Sequence, residues 1–108
     1  MSNLIDDIVV ELIKDIKVLN LGFRGVYLFG LFVDGKMHKD EDIEFVAIFD
    51  KPIDKVNREQ IWRVIGKIEE DFDIYIDLHP LSLSEFKSDT NFYKYVIEEG
   101  IFFNSESI

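Results

Sequence analysis

Residues 27–50 read YLFGLFVDGKMHKDEDIEFVAIFD. An apolar run, Val26 to Phe29, stops at Gly30, a polar loop carrying Gly35 follows, and the chain turns apolar again straight after Asp42-Ile43-Glu44. The pattern predicts strand, loop, strand, with strands over 26–29 and 43–49. Alternate residues of a strand face the same side, so Asp42 and Glu44 can share one ligand. Two carboxylates beside a glycine-bearing loop suit a metal-bound nucleotide. Mg²⁺ takes oxygen ligands, and glycine lets backbone N–H groups approach phosphate. A hairpin with a solvated acidic edge satisfies the same pattern.

On the N-terminal side, Leu4, Ile5, Ile8, Val9, Leu12, Ile13 and Ile16 recur at helical spacing between charged residues. They predict an amphipathic helix capped by Ser2 or Asn3 and ending near Asn20 or Gly22. Beyond the Asp50-Lys51-Pro52 turn, Asp54 can cap a second helix whose apolar face is Ile61, Val64, Ile65, Ile68 and Phe72. A third strand is expected over 73–78, alternating Asp73, Tyr75 and Asp77 with Ile74, Ile76 and Leu78, and ended by Pro80. By itself its acidic side reads as the solvent face of an edge strand. Ser82 with Glu85 forms a capping-box pattern. Ser88, Asp89 or Thr90 can cap a last helix carrying Phe92, Tyr93, Val96 and Ile97, with Gly100 as its stop. Residues 101–103 should pack back on the domain, and 104–108 should fray. The order helix, strand, strand, helix, strand, helix predicts one α+β domain over 1–108, a small mixed β-sheet with helices packed on one face.

Composition narrows the function classes. The chain is 47% hydrophobic with ten phenylalanines, enough for one packed core in 108 residues. It has no cysteine, which excludes disulfides and thiolate chemistry. Twelve basic residues face 22 acidic ones, for a net charge of −10, and the basic residues are scattered. Free nucleic-acid binding through phosphates is therefore disfavoured. A nucleotide bridged by divalent metal, or a basic partner protein, remains compatible. No apolar run reaches membrane-spanning length and no leader pattern opens the chain, so a cytoplasmic location away from membranes is expected. His38 and His79 lie far apart without a third nitrogen ligand, and read as surface or hydrogen-bonding residues. Glu98 and Glu99 read as the last turn of a helix.

The stretch around Gly30 and Asp42 resembles the minimal nucleotidyltransferases of the DNA polymerase beta-like superfamily. Their signature is Gly-Ser, ten residues, then Asp-x-Asp. Here Gly30-Leu31 is followed by ten residues, 32–41, and then Asp42-Ile43-Glu44. Leu31 stands in place of the serine and Glu44 in place of the second aspartate. The ending is similar too: Ile76-Asp77-Leu78-His79-Pro80-Leu81-Ser82, then Ile97-Glu98-Glu99-Gly100.

The resemblance implies a fold with this element order and a transfer of NMP, AMP foremost, from a metal-bound NTP to a hydroxyl. It implies that Asp42, Glu44 and Asp77 hold Mg²⁺ or Mn²⁺, with Asp77 also the base towards the acceptor. Gly30, Leu31, Lys36 and Lys39 would form the nucleotide side, with the two lysines offsetting the missing hydroxyl. Members of this size pair with a helical HEPN-type protein as toxin and antitoxin, and often form homodimers. The acceptor is then expected on another chain. The two signature departures support an alternative: a catalytically degenerate module of the same fold that acts by binding a partner protein.

Overall fold

The computed structural model describes residues 3–107. Helix α1 (Leu4–Lys17) leads into strand β1 (Phe23–Phe29), a 3-10 turn (Gly30–Asp34) and strand β2 (Asp42–Phe49). Helix α2 (Lys55–Phe72), strand β3 (Tyr75–Ser82), helices α3 (Leu83–Ser88) and α4 (Thr90–Glu99), and strand β4 (Ile101–Asn104) complete the fold. The four strands form one mixed sheet in the order β3-β2-β1-β4, with β2 and β3 parallel and the other pairs antiparallel.

The α1 periodicity translates directly into packing. Ile5, Ile8, Val9, Leu12, Ile13 and Ile16 are all buried against the sheet, each stabilising by roughly 1.5–3 kcal/mol relative to exposure. Asn3 is the observed cap: its Oδ1 accepts from the Asp6 backbone at 2.9 Å. Ser2, the other candidate, lies outside the described residues. Asp54 caps α2 by accepting from Asn57 N at 2.8 Å, and Ile61, Ile65 and Ile68 join the same core. The two long helices cover one face of the sheet, as expected. The short helices α3 and α4 add cover on part of the other, where Phe86 and Val96 meet Phe29, Val46 and Ile48.

Several boundaries differ from the sequence reading; α1 ends at Lys17, short of Asn20, and β1 begins at Phe23, ahead of Val26. Strand β3 runs through Pro80 instead of ending before it, with Ala47 opposite Pro80 and Phe49 opposite Ser82. The sheet order makes β3 an edge strand, where a residue lacking N–H costs no ladder bond if that position faces outward. Asp73 is not in the strand; it closes α2 in a left-handed conformation (φ 53°). Residues 104–107 are not frayed: Asn104 ends β4, and the Ser105 hydroxyl, buried, donates to the Phe23 carbonyl at 3.3 Å. The short β4 was legible only as an apolar segment packing back, because four residues carry too little alternation to specify a strand.

The β1–β2 connection is ordered as well. Phe32 is buried beneath it, and Asp34 accepts hydrogen bonds from the Lys36 backbone (2.8 Å) and lies 3.0 Å from His38 Nε2. These contacts hold the Asp34 carboxyl below the usual carboxylate range, the Lys36 backbone donor first and His38 next.

Two measurements test this account. Phe45→Ala, in the centre of β2, should lower the unfolding free energy in urea by about 3–5 kcal/mol, whereas the exposed Glu59→Ala should change it by under about 0.5 kcal/mol. A carbon-detected NMR titration should place the Asp34 midpoint below an ordinary aspartate. Because the folded value is depressed, its stabilisation is present above the unfolded value and disappears as pH falls through the folded one. A midpoint at or above the ordinary value contradicts the hydrogen-bonding described.

Candidate functional site

Strand β2 alternates without interruption. Ile43, Phe45, Ala47 and Phe49 pack into the α1/α2 core, while Val46 and Ile48 belong to the opposite cluster. Asp42 and Glu44 therefore start the strand on the α3/α4 side. The parallel register sets Glu44 opposite Asp77 and Asp42 opposite Tyr75. Ile76 and Leu78 face the α1/α2 core, so Asp77 shares the face of Asp42 and Glu44. The three expected acids thus share one face at one corner of the sheet.

Gly30 borders that corner. Its φ of +80° is a left-handed conformation that suits glycine. A β-carbon there would collide with Glu44 Oε2 and lie 3.1 Å from Glu44 Cδ. The Glu44 carboxylate therefore lies over Gly30, in the space that a side chain would fill. This contact was not visible in the sequence; it follows from the antiparallel register that puts Phe29 opposite Glu44.

Charges crowd here. Partial burial raises the Glu44 carboxyl above the ordinary glutamate range, and Asp77 adds to the rise. His79 works against them, while Asp42 and Glu41 push weakly upward. His79 Nε2 lies 3.7 Å from Asp77 Oδ2. Its ring also packs near Phe29 and Phe92, at centroid distances of 6.2 and 5.7 Å. Tyr95 meets Phe29 edge-on at 6.3 Å. The acids thus border an aromatic wall on one side. The sequence reads His79 as a surface or hydrogen-bonding residue; its place beside Asp77 is signalled there only by its offset of two on the same strand.

The nucleotide side is thinner than the acid side. Leu31 is 53% exposed and offers no donor. Lys36 and Lys39 are exposed in the loop, and among the described residues neither pairs with Asp42, Glu44 or Asp77. Among the described residues no group of three His, Asp or Glu side chains is gathered to hold a metal ion as it stands. The donor chemistry nevertheless suits a hard divalent cation: three carboxylates on one face, with a raised glutamate whose repulsion a cation would relieve. Glu44 can leave Gly30 by side-chain rotation alone. A cavity of about 740 Å³ lies elsewhere, lined by Arg24, Ile48, Asp50, Leu83 and Phe102 among others, and includes none of the acids. Among the described residues no helix is long and apolar enough to cross a membrane.

Comparison with known proteins agrees with the architecture. One chain of a mutant toxin–antitoxin MntA-HpeT structure superposes with a TM-score of 0.62 at 22% identity, over 90% of this chain and 69% of that one. A toxin–antitoxin structure with AMP-PNP gives a TM-score of 0.61 at 21% identity, over 90% and 70%. A structure from Shewanella oneidensis gives 0.51 at 21%, over 94% and 71%. At these identities the likeness speaks for the fold. No curated protein matches the sequence. The family profile described as nucleotidyltransferase domain matches residues 9–103. With nearly the whole chain inside that match, the protein belongs to the nucleotidyltransferase domain family.

Proposed function

We propose that the chain transfers an NMP, AMP foremost, from a metal-bound NTP to a hydroxyl on a partner protein or small molecule. The setting we infer is a toxin–antitoxin pair in which this chain serves as the antitoxin beside a HEPN-type helical partner. The observation that carries the reading is the shared face of Asp42, Glu44 and Asp77 beside Gly30. The solved toxin–antitoxin structures of the same fold, one holding AMP-PNP, support the setting.

Asp42, Glu44 and Asp77 would hold Mg²⁺ or Mn²⁺. Two such ions stabilise the attacking and leaving oxygens of an in-line displacement. Asp77 takes the proton of the acceptor hydroxyl, with His79 next to it. The Gly30 backbone would come close to the phosphates once the Glu44 carboxylate leaves it, because no β-carbon intervenes. Lys36 and Lys39 would partly offset the hydroxyl donor that Leu31 lacks. His79, 3.7 Å from Asp77, packs near the rings of Phe29 and Phe92 and would be held by them beside the acids.

A second reading is favoured by the exposed, donor-free Leu31 and by the position of Glu44 over Gly30. It is a degenerate module that binds its partner without transfer.

Purified protein is incubated with α-labelled NTPs, Mg²⁺ or Mn²⁺, and lysate or a co-expressed helical partner. Label should move to a protein or small molecule, and Asp42→Ala should reduce transfer by at least about a hundredfold. Absence of transfer, together with no thermal stabilisation by any metal–nucleotide pair, leaves the binding module. Leu31→Ser restores a hydroxyl donor to a charged acceptor, worth about 1.5–3 kcal/mol. Calorimetry should show roughly ten- to a hundredfold tighter nucleotide binding. Unchanged affinity would mean that the phosphates do not lie beside Leu31.

A further inference from the structure

Two strands end the sheet, and they differ in how they are protected. The edge strand β3 carries Asp77, His79 and Pro80. Charge and proline on an edge both discourage a further strand from adding to it. The edge strand β4 carries neither: its residues are Ile101, Phe102, Phe103 and Asn104. Among the described residues β4 pairs only with β1, so one row of its backbone N–H and C=O groups has no strand partner. Ile101 and Phe102 are 41% and 43% exposed although both are large and apolar, and Ile97, in the last turn of α4, is exposed as well.

This edge is held in place at both ends. At its start, a β-carbon on Gly100 would lie 2.5 Å from the Val96 carbonyl oxygen and 2.9 Å from that of Leu28. The chain therefore passes from α4 into β4 in close contact with both elements. At its end, the buried Ser105 hydroxyl donates to the Phe23 carbonyl at 3.3 Å. A strand fixed in this way loses little further freedom when it pairs, which favours association.

The side chains of β4 sort by face. Phe103 packs against the α1/α2 core, and Phe102 meets Tyr27 on the opposite face at a ring-centroid distance of 4.7 Å. Two copies related by a two-fold axis perpendicular to the sheet keep like faces together, so their antiparallel pairing must centre on a single residue. Centred on Phe102, it sets Phe102 against Phe102 and Ile101 against Phe103, and every central pair is apolar. Centred on Phe103, it would set Phe102 against Asn104.

We propose that β4 is a dimerisation edge, at which two copies of the chain join antiparallel about Phe102 and merge their four-stranded sheets into one. The inference does not depend on the transfer reaction. Each chain carries a net charge of −10, and the same register brings Glu98 and Glu99 of one copy towards Glu106 of the other. The uncharged strand is where two such acidic chains meet at least electrostatic cost. Salt that screens the remaining repulsion tightens the dimer. A basic partner taken up by this edge instead would bind less tightly as salt rises.

Sedimentation equilibrium of the full chain should show a monomer–dimer equilibrium that strengthens between about 0.05 and 0.5 M salt. Ile101→Lys puts a charge on the edge and should raise the dimer dissociation constant at least about tenfold, with circular dichroism confirming its fold. Trp62→Lys, at an exposed apolar residue of α2, should leave the constant unchanged. The absence of cysteine allows a second readout that does not depend on loss of association. Directly opposed strand residues have α-carbons about 4.5–5.5 Å apart, inside the range that a disulfide spans. Phe102→Cys should therefore oxidise to a covalent dimer, and Trp62→Cys should not. A chain that stays monomeric at every concentration and salt level overturns the proposal. So does a dimer that Ile101→Lys leaves intact, or a Phe102→Cys variant that crosslinks no faster than Trp62→Cys.

Discussion

Strand β2 is the constraint on which the rest depends. Among the described residues it is the only strand with parallel pairing on one side and antiparallel pairing on the other, and residues 45–49 are buried throughout. Its odd-numbered side chains fill the α1/α2 core, and Val46 and Ile48 fill the smaller core under α3 and α4. A one-residue slip would drive Glu44 into the larger core and Phe45 out of it, which the burial of two faces forbids. That fixed register carries Asp42 and Glu44 to one corner of the sheet and brings Asp77 opposite Glu44. The positions of the acids follow from hydrophobic packing elsewhere in the strand.

The corner itself is electrostatically costly. Carboxylates gathered on one face raise the Glu44 proton affinity by partial burial and by mutual repulsion. His79 is the one basic group that works against this rise. Groups in such an arrangement persist when something outside the chain relieves them, and a divalent cation is the simplest such partner. The loop after Gly30 carries an exposed leucine, and among the described residues Lys36 and Lys39 make no ion pair with the acids.

The sequence made the helices and the order of the elements legible because long amphipathic runs and capping residues are local signals. Asn3, Asp54 and Ser82 act as caps where their spacing placed them. Alternation also placed Asp42 and Glu44 on one face. Local pattern does not report which strand sits at an edge, so Pro80 looked like a terminator although β3 tolerates it. Nor does it report register between strands, and the Glu44–Gly30 contact and the Phe29–His79–Phe92 cluster both arise from register. The closure of the C-terminus through Ser105 depends on a partner 82 residues away, at Phe23.

The separation between the two faces of the sheet bears on how far chemistry can be read from fold. The energy that holds the domain lies mainly between the sheet and α1 and α2, where Ile8, Leu12, Ile13, Phe45, Phe49 and Ile61 are fully buried. None of the acids contributes to that core. A substitution such as serine to Leu31 or aspartate to Glu44 alters the site while leaving the packing that defines the register untouched. The match to the family profile spans residues 9–103, which take in β1, β2, α2 and β3 whole, so family membership extends well beyond the acids and the loop.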